Sequence, residues 1–557
     1  LLRLLQEQGC EISRASAPFT VMMPARRRPR PGPGEGRPSD GASQQAPARQ
    51  EEAKPSPREF PAGSYIVRMD QPYSRIADMM LDYQYWATND PQRNIYDDTG
   101  WTFGELGNVQ VVRVTDLKVL DAAMDKVNGP VQAAGGLKGS SSVFLLNHNA
   151  DNALVTLRYR FRTASFEAAE EPFEAAGKKF HRGSFIVRGV EAAALDKAAA
   201  ELGLEVWGVD APPAVKTHPV RAPRIALMHT WQSTQNEGWW RLEFDRYQVP
   251  YDYISTQTVS RDANLRARYD VIIFSPVGRA TPQAIVSGLP MFGNPLPWKT
   301  TELTPNIGKI DSTDDLRPGL GWSGLQHLQD FVRAGGLLIT ANDTSNFAVT
   351  FGFTPGVSTT AAQRLRVTGS ALRSKMVDGA SPIAYGYRDG LAIFASNPPI
   401  FGLSNLAGGG GRRPGGGSGS EARERPTGRG TADDHDLPQD RPAIEIPEPP
   451  RAEPWEALPL TDEQRRNGIN VIPPAFRPRV VLRWADAREL LVSGLLEAGT
   501  ELAQRAAVID VPYGQGHVVL FANNPFWRAE TQGSYFLVFN AIMHFDSLDA
   551  GRKLAEK

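Results

Sequence analysis

The chain predicts an α/β protein in which duplicated small α/β modules precede a doubly wound parallel-sheet domain, with two inserts expected to be disordered. Three observations predict it. Phe60-Pro-Ala-Gly-Ser-Tyr-Ile-Val-Arg68 returns as Phe180-His-Arg-Gly-Ser-Phe-Ile-Val-Arg188, with six of nine positions identical. Apolar runs at Arg224–Met228, Asp270–Phe274 and Leu337–Thr340 alternate with helical patterns and end in polar turns, the pattern of a buried parallel sheet. Residues 24–58 and 407–454 are rich in Gly, Pro and mixed charge, with almost nothing to bury.

The repeat organises residues 1–23 and 59–215. Its flanks agree as well, because Ala17-Pro18-Phe19 precedes the first copy and Glu171-Pro172-Phe173 the second. Phe19 and Phe60 are 41 residues apart but Phe173 and Phe180 only 7, a surplus of 34 that matches the first insert and places it in one surface loop. The run Arg26-Arg27-Arg28-Pro29-Arg30 inside it reads as a solvated linker or as a contact for nucleic acid or anionic lipid. Each copy offers a helix, a short strand such as Cys10–Ser13, the Gly-Ser-aromatic strand and a second helix. Gln71–Tyr83 sets Ile76, Met79, Met80 and Tyr83 on one helical face, expected to be buried. Val190–Leu202 repeats the pattern and stops at Gly203. Between the copies, Tyr83–Gly104 alternates aromatics, including Trp86 and Trp101, with Asp and Asn. It reads as a binding surface or as a structural loop packing its own aromatics. Asp90, Asp97 and Asp98 lack the spacing of a calcium loop.

The sheet domain covers residues 222–406 and 455–550. Its predicted elements are the strand Arg224–Met228, a helix over Gly238–Tyr247, strands Tyr251–Ser255 and Asp270–Phe274, a helix over Gly324–Ala334, and the strand Leu337–Thr340. Beyond the second insert come strands Val480–Trp484 and Gly516–Phe521 and a last helix, Tyr535–Phe545. Asp433-Asp434-His435-Asp436, within that insert, has metal-ligand residue types but no rigid frame to set their geometry.

Composition sets bounds. A chain of 557 residues exceeds what one core serves, so two or three domains are expected. Its net charge of −1 supplies no global field for nucleic acid. The single cysteine, Cys10, excludes an internal disulfide and a cysteine-rich metal site. No apolar run approaches the roughly 18 to 20 residues that span a bilayer, and no signal peptide is visible. Leu1–Gly9 reads as the second half of a helix, so more chain is expected upstream. Oligomeric state stays open.

Ligands of doubly wound sheets sit at the carboxyl ends of the strands. Those ends carry His229, Thr230 and Trp231, then Ser275, then Asn342, Asp343, Thr344 and Ser345, then Asn523, Asn524 and Arg528. Together they read as a polar crevice with an aromatic wall, suited to a sugar or a peptide end group, or simply as helix caps. No Gly-x-Gly-x-x-Gly, Gly-Lys-Ser/Thr or Gly-x-Ser-x-Gly signature is present. His148 and His229 have no visible nucleophile or orienting acid. No catalytic, cofactor or metal residue is assigned.

Phe60–Arg75 together with Tyr96-Asp-Asp-Thr-Gly-Trp-Thr102 resembles the region after the peptidase domain in large bacterial zinc-carboxypeptidase-like proteins. Asn236-Glu-Gly-Trp239 and the ending Asn523–Ala541 resemble a flavodoxin-like, class I glutamine-amidotransferase-like domain appended to that family. The resemblance implies a zinc site of His-x-x-Glu and a later His, with a Glu as general base. No position here matches, so zinc is expected upstream and no cofactor in this chain. It also implies a nucleophilic Cys in a sharp turn that corresponds to Ala341-Asn342-Asp343, where no Cys stands. The expectation is therefore a non-catalytic C-terminal portion of a periplasmic or secreted metallocarboxypeptidase-like protein, which positions or binds peptide or glycan. The alternative is a carbohydrate- or peptide-binding module whose parent has no hydrolase activity. No nucleic-acid partner and no membrane span are expected.

Overall fold

The structure, a computed structural model, describes residues 1–24, 55–92, 95–278, 280–407 and 452–553. The Arg26–Arg30 run, the Asp433–Asp436 cluster and nearly all of both predicted inserts lie outside the described residues. The chain divides into two units. One comprises Leu1–Asp82, Thr102–Gly104 and Val109–Gln132, the other Tyr83–Trp101, Glu105–Asn108 and Ala133–Lys557.

In the first unit, helix α1 (Leu2–Glu7) leads into β1 (Ser13–Ala15), and β2 (Phe19–Met23) pairs with β3 (Ser56–Phe60). The strand β4 (Tyr65–Ile66) and helix α2 (Ser74–Leu81) follow; after the short turn α3 (Phe103–Leu106) comes β5 (Met124–Lys126). The sheet is antiparallel, in the order β4-β1-β5. Leu5, Cys10, Ile12, Ala77 and Met80 form its small core. Two expectations shift. The strand read at Cys10–Ser13 begins at Ser13, and α2 buries Ala77 and Met80 while Met79 and Tyr83 are exposed. Tyr83 leaves the predicted face because the helix ends before it, at Asp82, whose backbone is extended (φ −78°, ψ 168°).

The second unit opens with β6 (Gly136–Lys138), β7 (Val143–Leu146), helix α4 (Ala153–Arg160) and β8 (Ser165–Ala169). The hairpin β9 (Phe173–Ala175) and β10 (Lys178–Phe180), then β11 (Phe185–Arg188), helix α5 (Ala192–Leu202), β12 (Glu205–Val209) and β13 (Thr217–Pro219) complete the module. Its six strands run β13-β8-β11-β7-β12-β6. The four central ones are antiparallel, in a split β-α-β-β-α-β arrangement.

The duplication is visible atom by atom. Phe19 stacks on Phe60 with centroids 5.2 Å apart, and Phe173 on Phe180 at 4.9 Å, each pair closing the base of its hairpin. Gly63 N–H donates to Ala15 O at 2.7 Å, and Gly183 N–H to Ala169 O at the same distance. Both glycines hold nearly the same left-handed φ, 87° and 86°, which explains why the phrase keeps a glycine there. The first predicted insert hangs from the tip of β2–β3, where the second copy turns through Ala176-Gly177. Its far edge is ordered, because Ser56–Arg58 belong to β3.

The sheet domain begins with β14 (Ile225–His229), helix α6 (Gln235–Arg246), β15 (Asp252–Ser255), helices α7 (Thr256–Arg261) and α8 (Leu265–Arg268), and β16 (Val271–Phe274). Helices α9 (Pro282–Ser287) and α10 (Gly321–Arg333) precede β17 (Leu337–Ala341) and α11 (Asp343–Thr350). Then come β18 (Val357–Thr360), β19 (Arg366–Met376), β20 (Ala392–Ala395), β21 (Ile400–Leu403), helix α12 (Asp462–Asn467), β22 (Arg479–Trp484), β23 (Leu491–Glu497), β24 (Ala506–Tyr513), β25 (Gly516–Phe521) and helix α13 (Tyr535–Met543). One ten-stranded sheet has the path β15-β14-β16-β17-β25-β24-β22-β19-β20, with β23 on β19. The first five strands are parallel and follow the 2-1-3-4-5 order of flavodoxin-type sheets. The predicted parallel sheet is thus present, but beyond β25 the sheet continues antiparallel. β14, β16 and β17 are buried at every position, as strands covered on both faces must be.

Helix α13 is buried at all nine residues. The side chains of Asn540 and of His544, just past its end, meet polar atoms of the β6–β13 module and of the segment 383–385. Asn540 Nδ2 donates to Ile383 O and Tyr385 O, its Oδ1 faces His148 Nε2 at 3.1 Å, and His544 Nδ1 faces His218 Nε2 at 3.1 Å. Glu170 holds the other nitrogen of His218 at 3.2 Å. Burial pulls the pKa of His148 down to about 3 and lowers those of His218 and His544.

Two outcomes are expected. The unfolded chain binds protons that these buried histidines refuse, so stability falls as pH drops below 6.5, their ordinary value. Each such histidine contributes up to about 1.4 kcal/mol per pH unit. Urea midpoints that stay flat between pH 6.5 and 5 would show that the histidines are not held neutral. Gly183→Ala would place a Cβ 2.5 Å from Tyr385 Cβ, whereas in Gly63→Ala it would meet only the flexible Arg14 guanidinium at 3.3 Å. Thermal unfolding should show Gly183→Ala to be the costlier change by about 1–3 kcal/mol.

Candidate functional site at the carboxyl edge of the parallel sheet

The sharpest backbone feature is the turn from β17 into α11. Asn342 adopts φ 50°, ψ −117°, a conformation outside the regions that non-glycine residues ordinarily occupy. Thr344 Oγ1 accepts from Ala341 N at 3.0 Å and also lies 2.7 Å from Phe274 O, to which it donates. Ser345 Oγ donates to Phe521 O at 3.0 Å, and Asn342 N–H donates to the same carbonyl at 2.9 Å. The Asn342 amide donates to Ser396 O at 3.0 Å. Strain of this kind persists only where neighbours over-determine it. Thr344 and Ser345, read from sequence as crevice or capping residues, are buried fasteners of this elbow.

Asp343 follows immediately. Its Oδ1 accepts from Val277 N at 3.1 Å, its Oδ2 is buried, and burial raises its pKa to about 6 against the lowering effect of the Val277, Gly278 and Thr344 backbone N–H groups. At the end of β25, Asn523 is fully buried and neither its Oδ1 nor its Nδ2 has a partner among the described residues. Asn524 is committed, since its Oδ1 accepts from Trp240 Nε1 at 3.0 Å. Ser275 is buried just past β16.

A second feature lies between the ends of β14 and β16, where the strand order reverses and ligands of such sheets bind. A cavity of about 30 Å³, room for one or two waters, is lined there by Thr230, Trp231, Ser233, Thr256, Ala284 and Pro318, among others. Trp231 Nε1 is buried without a partner among the described residues. His229 lies behind it, 1% exposed, with Nε2 2.9 Å from Asp311 Oδ2 and Nδ1 3.2 Å from Thr230 O. It stacks on Tyr253 with centroids 4.0 Å apart. The Tyr253 hydroxyl donates to Glu237, whose pKa burial raises to about 8. His229 is therefore packed into a polar knot with both nitrogens occupied. Asp311 had no sequence signal beyond residue type, since it sits in an irregular loop; Glu237 stood in the phrase Asn236-Glu-Gly-Trp239, but nothing there marked its burial.

Arg528 is spoken for. It pairs with Asp97 at 2.6 Å and Asp98 at 3.0 Å, and Trp527 Nε1 donates to Asp98 at 2.8 Å. These acids belong to the loop expected to be a binding surface or a self-packed structural element. Its main chain lies along the antiparallel half of the sheet, with Trp86 N–H donating to Gly494 O and Thr99 N–H to Gly369 O. Among the described residues no group of three or more His, Cys, Asp or Glu side chains could hold a metal ion. No described helix is long and apolar enough to cross a membrane.

No protein-family description matches the sequence, and no curated protein does. Among solved structures, the chain is similar to a cytoplasmic protein of Salmonella typhimurium (11% identity, 57% of this chain, 98% of that one, TM-score 0.26). It is similar to a ThuA-like protein of Bacteroides uniformis (8%, 59% and 94%, TM-score 0.27). It also spans 31% of a β-galactosidase from Bacillus circulans (9% identity, 58% of this chain, TM-score 0.24). Likenesses this distant carry no argument about function, and the fold class rests on the strand order itself.

Two substitutions test this geometry. Thr344→Val leaves Ala341 N and Phe274 O without their buried partner and should cost about 1–3 kcal/mol in urea unfolding. Glu237 is protonated in the folded protein up to about pH 8 but ionises near 4.5 when unfolded, so it weakens the fold increasingly as pH rises between those values. Glu237→Gln should therefore stabilise the protein by on the order of a few kcal/mol at neutral pH, with no gain at pH 4.

Proposed function

We propose that this chain is a binding module that holds a peptide or a glycan at the carboxyl edge of its parallel sheet and performs no hydrolysis itself. The observation that carries the reading is the cavity at the strand-order reversal, walled by Trp231, whose buried indole N–H has no partner among the described residues. An aromatic face beside a few unsatisfied polar atoms suits a ligand that is part apolar and part hydrogen-bonding. The elbow supports the non-catalytic half of the reading. Its strained residue is Asn342, which offers no nucleophilic atom and whose amide is tied to Ser396. In the larger zinc-carboxypeptidase-like protein that the sequence phrases resemble, such a module would position substrate for catalysis elsewhere.

Titration of the whole chain with cell-wall sugars and short peptides, followed by tryptophan fluorescence, tests the reading. A saturable change that disappears in Trp231→Ala is expected. A mere spacer would respond to neither ligand class at millimolar concentration, and peptidase activity in this chain alone would overturn the assignment.

A further inference from the structure

Three buried histidines lie where the β6–β13 module packs on α13, and their bonds fix which nitrogen of each ring carries a hydrogen. Glu170, ionised, only accepts, and its Oε1 lies 3.2 Å from His218 Nδ1, so that nitrogen is the donor. His218 Nε2 is then an acceptor and takes the Nδ1–H of His544 at 3.1 Å. His544 Nε2 is left as a second acceptor, buried and without a partner among the described residues. His148 is set the other way. Its Nδ1 accepts from Ala150 N at 3.3 Å, so its Nε2–H donates to Asn540 Oδ1 at 3.1 Å.

Each of these bonds requires a neutral ring. A proton on His218 Nε2 would point at the Nδ1–H of His544, which could yield only by moving its hydrogen to Nε2, where no described residue accepts it. A further proton on His544 would set two cations 3.1 Å apart, and one on His148 Nδ1 would face the Ala150 N–H. The surrounding charges do not offset this. Glu170 supports His218 but is shared with Lys216 Nζ at 2.7 Å, and Asp546, which also acts on His218, is paired with Arg221 at 2.9 Å. Tyr385 lies with its ring 5.9 Å from that of His218 and 5.5 Å from that of His544, and Glu170, Arg182, Arg479 and Asp378 act on it. His148 faces His181 and, like His544, has no carboxylate bonded to it among the described residues. The histidines of the large sheet's strands differ, because His517 and His229 each have a carboxylate, at 2.7 and 2.9 Å.

We propose that Glu170, His218, His544 and His148 form an acid-sensitive latch, in which protons taken up below neutral pH loosen the docking of the β6–β13 module on α13 before the parallel sheet itself opens. The undocked rings titrate near the ordinary histidine value of about 6.5, whereas the docked rings stay neutral. Docking is therefore fully supported above that pH. Below it, each ring that gains a proton on opening weakens docking by up to about tenfold per pH unit.

Hydrogen exchange of the whole chain, corrected for the intrinsic pH dependence of amide exchange, tests the latch by comparing peptides from β11 and α13 with peptides from β16 and β17. Between about pH 7 and about pH 5.5, protection in β11 and α13 should fall about tenfold or more while β16 and β17 keep theirs. The double variant His218→Gln, His544→Asn should lose most of that fall. His218→Gln still donates to Glu170 and accepts from residue 544, and His544→Asn keeps a donor in the Nδ1 position, but neither new side chain titrates. Should the double variant not fold, His218→Gln alone carries the test and should reduce the fall. A fall shared equally by β16 and β17 overturns the latch, because the whole unit is then opening. Protection in β11 and α13 that stays flat, or that falls as steeply in the variants as in the wild type, overturns it as well.

Discussion

The burial of helix α13 is the constraint on which the larger unit depends. All nine of its residues are inside, and one continuous core runs from Phe144 and Phe185 of the β-α-β-β-α-β module through α13 to the central strands of the large sheet. Apolar burial supplies the driving force without direction. Direction comes from a few buried polar contacts: Asn540 between His148 and the carbonyls of Ile383 and Tyr385, and His544 against His218. Such contacts are worth little net when made and much when broken, so they select one docking of module on sheet. Gly183, against Tyr385, shows how close the approach is.

At the carboxyl edge of the same sheet the logic reverses. There the fold tolerates a strained Asn342, a buried Asp343 oxygen and, without partners among the described residues, the Asn523 amide and the indole N–H of Trp231. These features are costly in a region where Thr344 and Ser345 make every other polar atom count. Sites that bind commonly carry stability costs of this sort. The position agrees with the rule that open α/β sheets present ligands at strand ends and at the reversal of strand order.

The repeat shows a different economy. The first copy spans the same hairpin, the same stacked phenylalanine pair and the same glycine hydrogen bond as the second, although a long segment separates β2 from β3. Loop-closure entropy grows only slowly with length, so a hairpin whose base is clamped by stacked rings tolerates a large insertion at its tip.

By itself the sequence determined the local elements: the duplicated phrase, the apolar parallel strands, the turn at Asn342 and the two segments unfit for a core. These follow from periodicity, turn chemistry and composition, which act over a few residues. It also marked the strand-end residues by type. Only the tertiary structure decided their fates, placing His229 in a knot with Asp311 and Tyr253, giving Arg528 to Asp97 and Asp98, pairing Asn524 with Trp240, and leaving Asn523 without a partner among the described residues. The antiparallel extension beyond β25 and the burial of Glu237 were likewise decided there. The physical reason is that partnership and desolvation arise between residues tens to hundreds of positions apart, and no local pattern records which of several polar side chains at one sheet edge will be satisfied.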